Sequence, residues 1–240
     1  MTPPARLSLA IVICTFHREA LLAQALASVA AQTPAPDLDV SVIVVDNSDE
    51  ETAAETVARA AGGSPFPMRW LAAHPANIAT ARNAGVEAAG DAGWIAFVDD
   101  DQILLPGWLG AVADGLRRFP HDAFFGAVEA RFEAPDRAGP AARQLFARRL
   151  DAPAGADLYA MGGAKTRGLA LATNNSVFRR AALPGDEAPF HPDFGHGGGE
   201  DYDLICRIER RGARFGWLPQ ARAQEFVPAD RCDPAYLRRR

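Results

Sequence analysis

The sequence predicts an α/β fold: an open, doubly wound, mostly parallel sheet with helices on both faces. Three observations carry that expectation. Short, nearly continuous apolar runs recur through the first half of the chain, as strands buried on both faces require. Stretches with apolar residues at helical spacing separate those runs. Strand and helix therefore alternate, the order that builds parallel strands through helical crossovers.

Leu7-Ser-Leu-Ala-Ile-Val-Ile-Cys14 is the first such run. Residues 18–32 follow as a helix, with Leu21, Leu22, Ala25, Leu26 and Val29 at helical spacing. Val40-Ser-Val-Ile-Val-Val45 is the second strand. Residues 50–61 read as a helix closed by Gly62-Gly63. Residues 68–72 make a third strand, and 79–89 a helix that Gly90 ends. Trp94-Ile-Ala-Phe-Val98 is the fourth strand and runs into Asp99-Asp100-Asp101. Pro106 is expected as the first residue of a helix reaching Arg118, because its fixed φ and missing N–H suit that position. Residues 123–132 form a further strand. From 134 to 167 the pattern fades into Ala, Gly, Pro and Arg, with one short helix expected over 141–150. Order returns at 169–180. A loop rich in Pro, Gly and His ends at Gly197-Gly198-Gly199, and a helix follows over 200–211 with Leu204, Ile205 and Ile208 inward. Residues 214–218 and 221–227 read as two strands.

Composition narrows the function classes. The 240 residues are 48% hydrophobic, enough for a sizeable core, and the net charge of -5 lacks the basic footprint of a nucleic-acid binder. Arg117-Arg118, Arg148-Arg149 and Arg210-Arg211 read as solvated helix faces or ends. The terminal Arg238-Arg239-Arg240 is suited to touching an anionic membrane surface. Cys14, Cys206 and Cys232 show no CxxC spacing, so the expectation is a reducing, cytoplasmic setting without disulfide or zinc. No signal peptide and no apolar run of the roughly 20 residues a bilayer span needs are evident, so a membrane-borne substrate would be met at the surface.

Open parallel sheets bind ligands at the carboxyl ends of their strands. Thr15, Asp46 and Asp99-Asp101 all follow such ends. Three adjacent aspartates repel one another, and a hard divalent cation with oxygen ligands relieves that repulsion. The alternative is an acidic turn capping the next helix. Asp46 is a hydrogen-bond acceptor for a nucleobase or ribose, or else a cap for the helix after it. Asn77-Ile-Ala-Thr-Ala-Arg-Asn-Ala-Gly85 puts Arg82 and Asn83 near a helix start, where Arg82 would bridge to phosphate or to Asp99, or lie exposed on the surface. Glu200-Asp201 opens the last long helix; the helix dipole explains an acidic pair there, and so does a general base. Adjacent carboxylates point in different directions, so one of the two is structural. Asn174 and Asn175 are expected to line the same cleft or to form a strand-end turn, and the loop 184–199 to help form an acceptor site. There is no Gly-x-Ser-x-Gly, no Gly-x-Gly-x-x-Gly after the first strand and no His-Glu-x-x-His, which argues against an esterase, a nicotinamide-binding domain and a zinc protease.

Five segments in order resemble the inverting family 2 glycosyltransferases: Val12-Ile-Cys-Thr-Phe-His-Arg18, Val44-Val-Asp-Asn-Ser48, Asn77 to Gly85, Phe97-Val-Asp-Asp-Asp101 and Gly198-Gly-Glu-Asp-Tyr-Asp-Leu204. The resemblance implies a single GT-A domain over 1–240, with a donor half over about 1–133 and an acceptor and catalytic-base half over about 134–240. It implies donor contacts at Thr15, Arg18, Asp46, Asn77, Arg82, Asp99 and Asp100, a Mn2+ or Mg2+ ion on Asp99 and Asp101, and Asp201 as the base. The donor implied is a nucleoside diphosphate sugar, carrying uridine or thymidine; the acceptor is a glycan, a lipid-linked sugar or a small molecule. The sequence departs from the family in places. No histidine follows His196, so either Glu225 stands in as an oxygen ligand to the metal or the metal uses fewer protein groups. Asn47 replaces a frequent aspartate and Ala79 a frequent glycine. The Gln-x-x-Arg-Trp motif of processive synthases is absent, which implies single-sugar transfer. The rival readings are a sugar-nucleotide nucleotidyltransferase, a non-catalytic nucleotide-sugar-binding protein, and a glycoside hydrolase using two carboxylates without metal.

Overall fold

The structure is a computed structural model that describes residues 6–162, 166 and 169–238, so Arg239 and Arg240 of the terminal arginine run lie outside the described residues. Eight strands form one sheet: β1 (Leu7–Thr15), β2 (Leu38–Asp46), β3 (Met68–Ala72), β4 (Trp94–Phe97), β5 (Gln102–Leu104), β6 (Ala123–Phe132), β7 (Ser176–Arg179) and β8 (Phe215–Val227), in the order β3-β2-β1-β4-β7-β6-β8-β5. The first four in that order are parallel throughout. Beyond β4 the pairing is mixed: β7 runs antiparallel to β4 and β6, β8 parallel to β6, and β5 antiparallel to β8.

Alternation along each strand feeds two cores. Leu9, Ile11 and Ile13 of β1 face one layer, with Leu22 and Leu26 of α1 (Glu19–Ala30), Val57 of α2 (Ala54–Ala61), and Trp108 and Val112 of α4 (Trp108–Arg118). Ala10 and Val12 face the other, with Ala81 and Val86 of α3 (Ile78–Ala88) and with Leu204 and Ile208 of α6 (Glu200–Arg210). Each fully buried Leu, Ile or Val contributes about 1.5–3 kcal/mol. Helix α3 lies close on β1 because residue 85 is glycine: a Cβ there would come within 2.4 Å of Val12 Cγ1. A third, small cluster joins Ala142 of α5 (Pro140–Leu145) to Phe146, Val227 and Cys232, with Leu237 of α7 (Pro234–Leu237) packed against it.

Several boundaries differ from expectation. Helix α2 starts at Ala54 because residues 50–53 are held in a turn: Glu51 has φ 54° and the Ala53 N–H donates to Asp46 Oδ2 at 2.8 Å. Helix α4 starts at Trp108 rather than Pro106. A turn from Leu105 O to the Trp108 N–H and a left-handed Gly107 precede it, and the buried Trp108 Nε1–H donates to Asn175 Oδ1 at 2.7 Å. The two strands expected over 214–227 are one strand whose register against β6 shifts between Gly126 and Val128. Strand β7 is only residues 176–179, and Asn175 before it has φ 47°. Helix α5 stops at Leu145, after which Arg148 bridges to Val128 by paired backbone hydrogen bonds of 3.0 Å. The three-residue β5 carries too little periodicity to be read in sequence. No described helix is long and apolar enough to cross a membrane.

Candidate active site

A cleft of about 750 Å³ opens at the carboxyl ends of β1 and β4. Thr15, Arg18, Asn77, Arg82, Asp99, Asp100, Asp101, Asp201 and Glu225 all line it. Residues up to 210 apart in the sequence therefore meet in one place.

The acidic turn is built by hydrogen bonding around its backbone. Val98 N–H donates to Val12 O at 3.1 Å, tying the end of β4 to β1, and Gln102 N–H closes the turn on Asp99 O at 3.0 Å. Thr15 Oγ1–H donates to Asp100 Oδ2 at 2.8 Å, and Arg18 Nη1–H to Asp100 Oδ1 at 3.0 Å and Asp101 Oδ2 at 3.2 Å. Glu225 reaches this turn because β5 pairs antiparallel with β8: Gln102 lies opposite Glu225, and Phe226 N–H donates to Asp101 O at 2.8 Å. Asn174 Nδ2–H donates to Glu225 Oε2 at 3.1 Å.

Burial and mutual repulsion hold these acids toward the protonated form. Burial, then Asp99, Glu225 and Asp100, push Asp101 up to about 8, against the pull of Arg18. Burial and then Asp99 push Glu225 up to about 7. Burial also raises Asp100, opposed by Arg18 and Thr15. Asp101 Oδ1 is buried with no hydrogen-bond partner. An all-oxygen donor set, mutually destabilised and with an orphaned oxygen, fits a hard divalent cation. Among the described residues, however, no group of three His, Cys, Asp or Glu side chains is gathered at ligand spacing. Arg18 and Asn174 hold two of the three acids instead, so the set suits a cation chemically without being assembled around one.

The adjacent acids of α6 have separate surroundings. Glu200 is buried and its Oε1 accepts from Arg82 Nη1–H; its Oε2 is buried with no hydrogen-bond partner. Arg82 Nη2 lies 3.9 Å from Asp99 Oδ1, and its guanidinium stands 5.5 Å over the Phe190 ring. Arg82 is thus buried between two carboxylates, not exposed. Asp201 is only partly buried; its Oδ1 accepts the Tyr202 N–H at 2.8 Å. The loop before α6 is stitched to α3: Asn83 exchanges hydrogen bonds with Phe190 N (2.9 Å) and O (2.7 Å), and Asn77 Nδ2–H donates to Pro192 O at 3.0 Å.

Two residues expected at the nucleotide are engaged elsewhere. Asp46 does not line the cleft. It is fully buried, accepting from Ser48 N (3.0 Å), Ser48 Oγ (2.7 Å) and Ala53 N, which is the helix-capping alternative. Asn77 lines the cleft, but its Oδ1 caps α3 through the Ala79 and Thr80 N–H groups. Asn174 lines the cleft, whereas Asn175 is buried in the turn against Trp108.

Sequence reasoning missed other lining residues. Arg148 was expected on a solvated surface; it is buried, its guanidinium donating to the carbonyls of Gly126 (2.9 Å), Ala172 (3.1 Å), Asn174 and Asn175 (3.1 Å). Burial lowers it to about 10, opposed first by Glu225. Arg231, 3.8 Å from Asp101 Oδ2, also lines the cleft. Neither arginine carries a local sequence signal. Phe16, half exposed beside Thr15, had one: it directly follows a strand end.

Comparison with known proteins identifies the family and the fold. Over 239 residues the chain is 30% identical to the succinoglycan biosynthesis protein ExoM of Rhizobium meliloti (strain 1021), covering 99% of this chain and 73% of that protein. The fold matches the crystal structure of a 1–349 fragment of S. aureus TarS with TM-score 0.69 and 16% identity, over 92% of this chain and 60% of that one. The same fragment in complex with UDP-GlcNAc matches with TM-score 0.67 and 16% identity, over 92% and 58%. The chain thus spans less than two thirds of the TarS fragment, and at that identity the likeness speaks for the fold. Residues 10–181 match the model of glycosyl transferase family 2, and the chain belongs to that family, a glycosyltransferase of the GT-A fold.

Proposed function

We propose that the chain moves one sugar from a nucleoside diphosphate sugar to an acceptor hydroxyl, with inversion at the anomeric carbon and with help from a divalent cation. The observation that carries this reading is the meeting of Asp99-Asp101, Arg18, Arg82, Glu225 and Asp201 in one cleft at the strand ends. The TarS complexes hold UDP-GlcNAc and UDP, which favours a uridine diphosphate donor. The name of ExoM favours a polysaccharide as the product to which this transfer contributes. Unpaired Cys14, Cys206 and Cys232 suit a reducing, cytoplasmic setting.

Thr15 and Arg18 would hold the donor side, with Arg18 turning from Asp100 and Asp101 toward diphosphate oxygens. Asp99, Asp101 and Glu225 would hold the cation, with Mn2+ and Mg2+ as its two identities. When bound, the cation offsets the negative charge that grows on the departing diphosphate. Asp201 takes the proton of the acceptor hydroxyl as its oxygen bonds to the anomeric carbon. The bond from that carbon to the diphosphate oxygen breaks on the opposite side, which inverts the centre. Asp201 is suited to this because no cation neutralises it within ion-pair distance among the described residues, unlike Glu200.

The test is release of nucleoside diphosphate from a panel of nucleotide sugars, with and without Mn2+, with the product anomer read by NMR. Cation-dependent release with an inverted product supports the reading. Release of pyrophosphate, a retained anomer, or full turnover in chelator overturns the corresponding part of it.

A further inference from the structure

We infer that Glu200 is a positioning residue that aims Asp201 through its bond to Arg82. This rests on Asp201 as the base proposed above. Three features meet at Glu200. It is the first residue of α6, so whatever holds its side chain also holds the start of the helix that presents Asp201. It follows Gly199, whose left-handed φ of 102° makes the entry to the helix a sharp turn with no side-chain cap on the helix end. Its Oε1 is held by Arg82, a buried side chain of α3, and Arg82 in turn faces Asp99 at the end of β4. Arg82 thereby links the acid motif of the donor half to the first turn of the base helix. Asn83, one residue on, ties the preceding loop to the same helix through Phe190. Helix α3 is the shared support, and Gly85 lets it sit directly on β1.

The linkage is one of reach as much as of charge. A Glu side chain spans from α6 to Arg82; an Asp, one methylene shorter, keeps the charge and loses the reach. A Gln keeps the reach and an acceptor oxygen and loses the charge. Positioning therefore predicts that Glu200→Gln preserves function better than Glu200→Asp. A role in balancing the charge of Arg82 predicts the opposite order.

The experiment compares E200Q, E200D, D201N and the double variant E200D/D201N. It measures melting temperature, nucleoside diphosphate affinity with Mn2+, donor KM and transfer kcat. Expected is E200Q within about threefold of parental kcat and E200D down by about tenfold to a hundredfold, the scale of a misplaced reacting group. Donor KM and nucleoside diphosphate affinity stay within about twofold, because Asp100 and Asp101 keep Thr15 and Arg18 as supports and Asp99 keeps the charge of Arg82. In the D201N background, E200D adds no further loss, since the group being aimed is gone. Parental kcat in E200D, the reverse order of the two variants, or losses that multiply in the double variant would overturn the inference. An E200Q enzyme as inactive as D201N would also overturn it, by showing that the charge of Glu200 matters more than its reach. Parental turnover in D201N alone would instead overturn the base assignment beneath it.

Discussion

The two sides of the sheet solve the same problem differently. On the β3-β2-β1-β4 side, all strands pair in parallel, β1 with β2 and β4 and β2 with β3, and are covered on both faces. Their residues are nearly continuous apolar runs, and the acids cluster where the runs stop. On the β7-β6-β8-β5 side, pairing is mixed, β8 carries a register shift, and polar side chains are buried among the strands. Local pattern built the first side. On the second, buried side-chain hydrogen bonds between distant residues add to the strand pairing, and the cleft lies along the seam between them.

The comparison breaks most sharply at the base. Asp201→Asn should abolish transfer by about 10²–10⁴-fold while nucleoside diphosphate affinity is kept, as loss of a general base requires. Steady-state kinetics beside calorimetry reads both. Parental rates would detach the mixed side from the chemistry.

Next is the stitching of the mixed side. Arg148→Met removes a buried guanidinium and leaves the carbonyls of Gly126, Ala172, Asn174 and Asn175 short of a donor. A loss of about 3 kcal/mol or more in denaturant unfolding is expected. Lys in its place should restore little, because one ammonium cannot reproduce the planar fork. An unfolding midpoint unchanged in Arg148→Met would show that this region does not depend on the buried cation.

A smaller effect tests the seam. Asp99→Ala or Asp101→Ala should weaken cation-dependent binding of nucleoside diphosphate by about tenfold, roughly 1.4 kcal/mol. Cation-free affinity should change less. Calorimetry with and without Mn2+ separates the two, and equal affinities in variant and parent would remove these acids as ligands.

The same seam also responds to pH. Glu225 and Asp101 stand at about 7 and about 8 in the folded chain, above their unfolded values. A carboxyl group raised on folding binds more protons folded than unfolded, so stability falls as pH climbs from about 4 toward 8. Thermal melts of the cation-free protein should show that fall, and Glu225→Gln should flatten it between about pH 4.5 and 7. Added Mn2+ should offset it at pH 8, because an ion that binds only the folded state stabilises that state. Melts with the same pH slope in Glu225→Gln would show that this acid is not the titrating group.

Legibility followed the same division. The parallel strands, α1, α3 and α6, and the acidic turn at 99–101 were readable because their signals are local: apolar runs, helical spacing, and acids at strand ends. Helix starts at 54 and 108 were misplaced because side-chain hydrogen bonds set them, to Asp46 within the same loop for one and to distant Asn175 for the other. Glu225 was singled out as an alternative ligand, but its place opposite Gln102 depends on pairing between segments more than 120 residues apart. Arg148 was misread outright, since an arginine pair near the end of a weak expected helix looks solvated until the carbonyls around it are known.

The sequence by itself determined that apolar strands alternate with helices and that acids stand at the strand ends, because burial periodicity and charge placement are properties of short windows. Only the tertiary structure decided which acids share a cleft, that Glu200 turns inward to Arg82 while Asp201 does not, and that Asp46 is spent on its own loop. Hydrogen-bond partners and desolvation are set by neighbours distant in the chain, and no local pattern contains them.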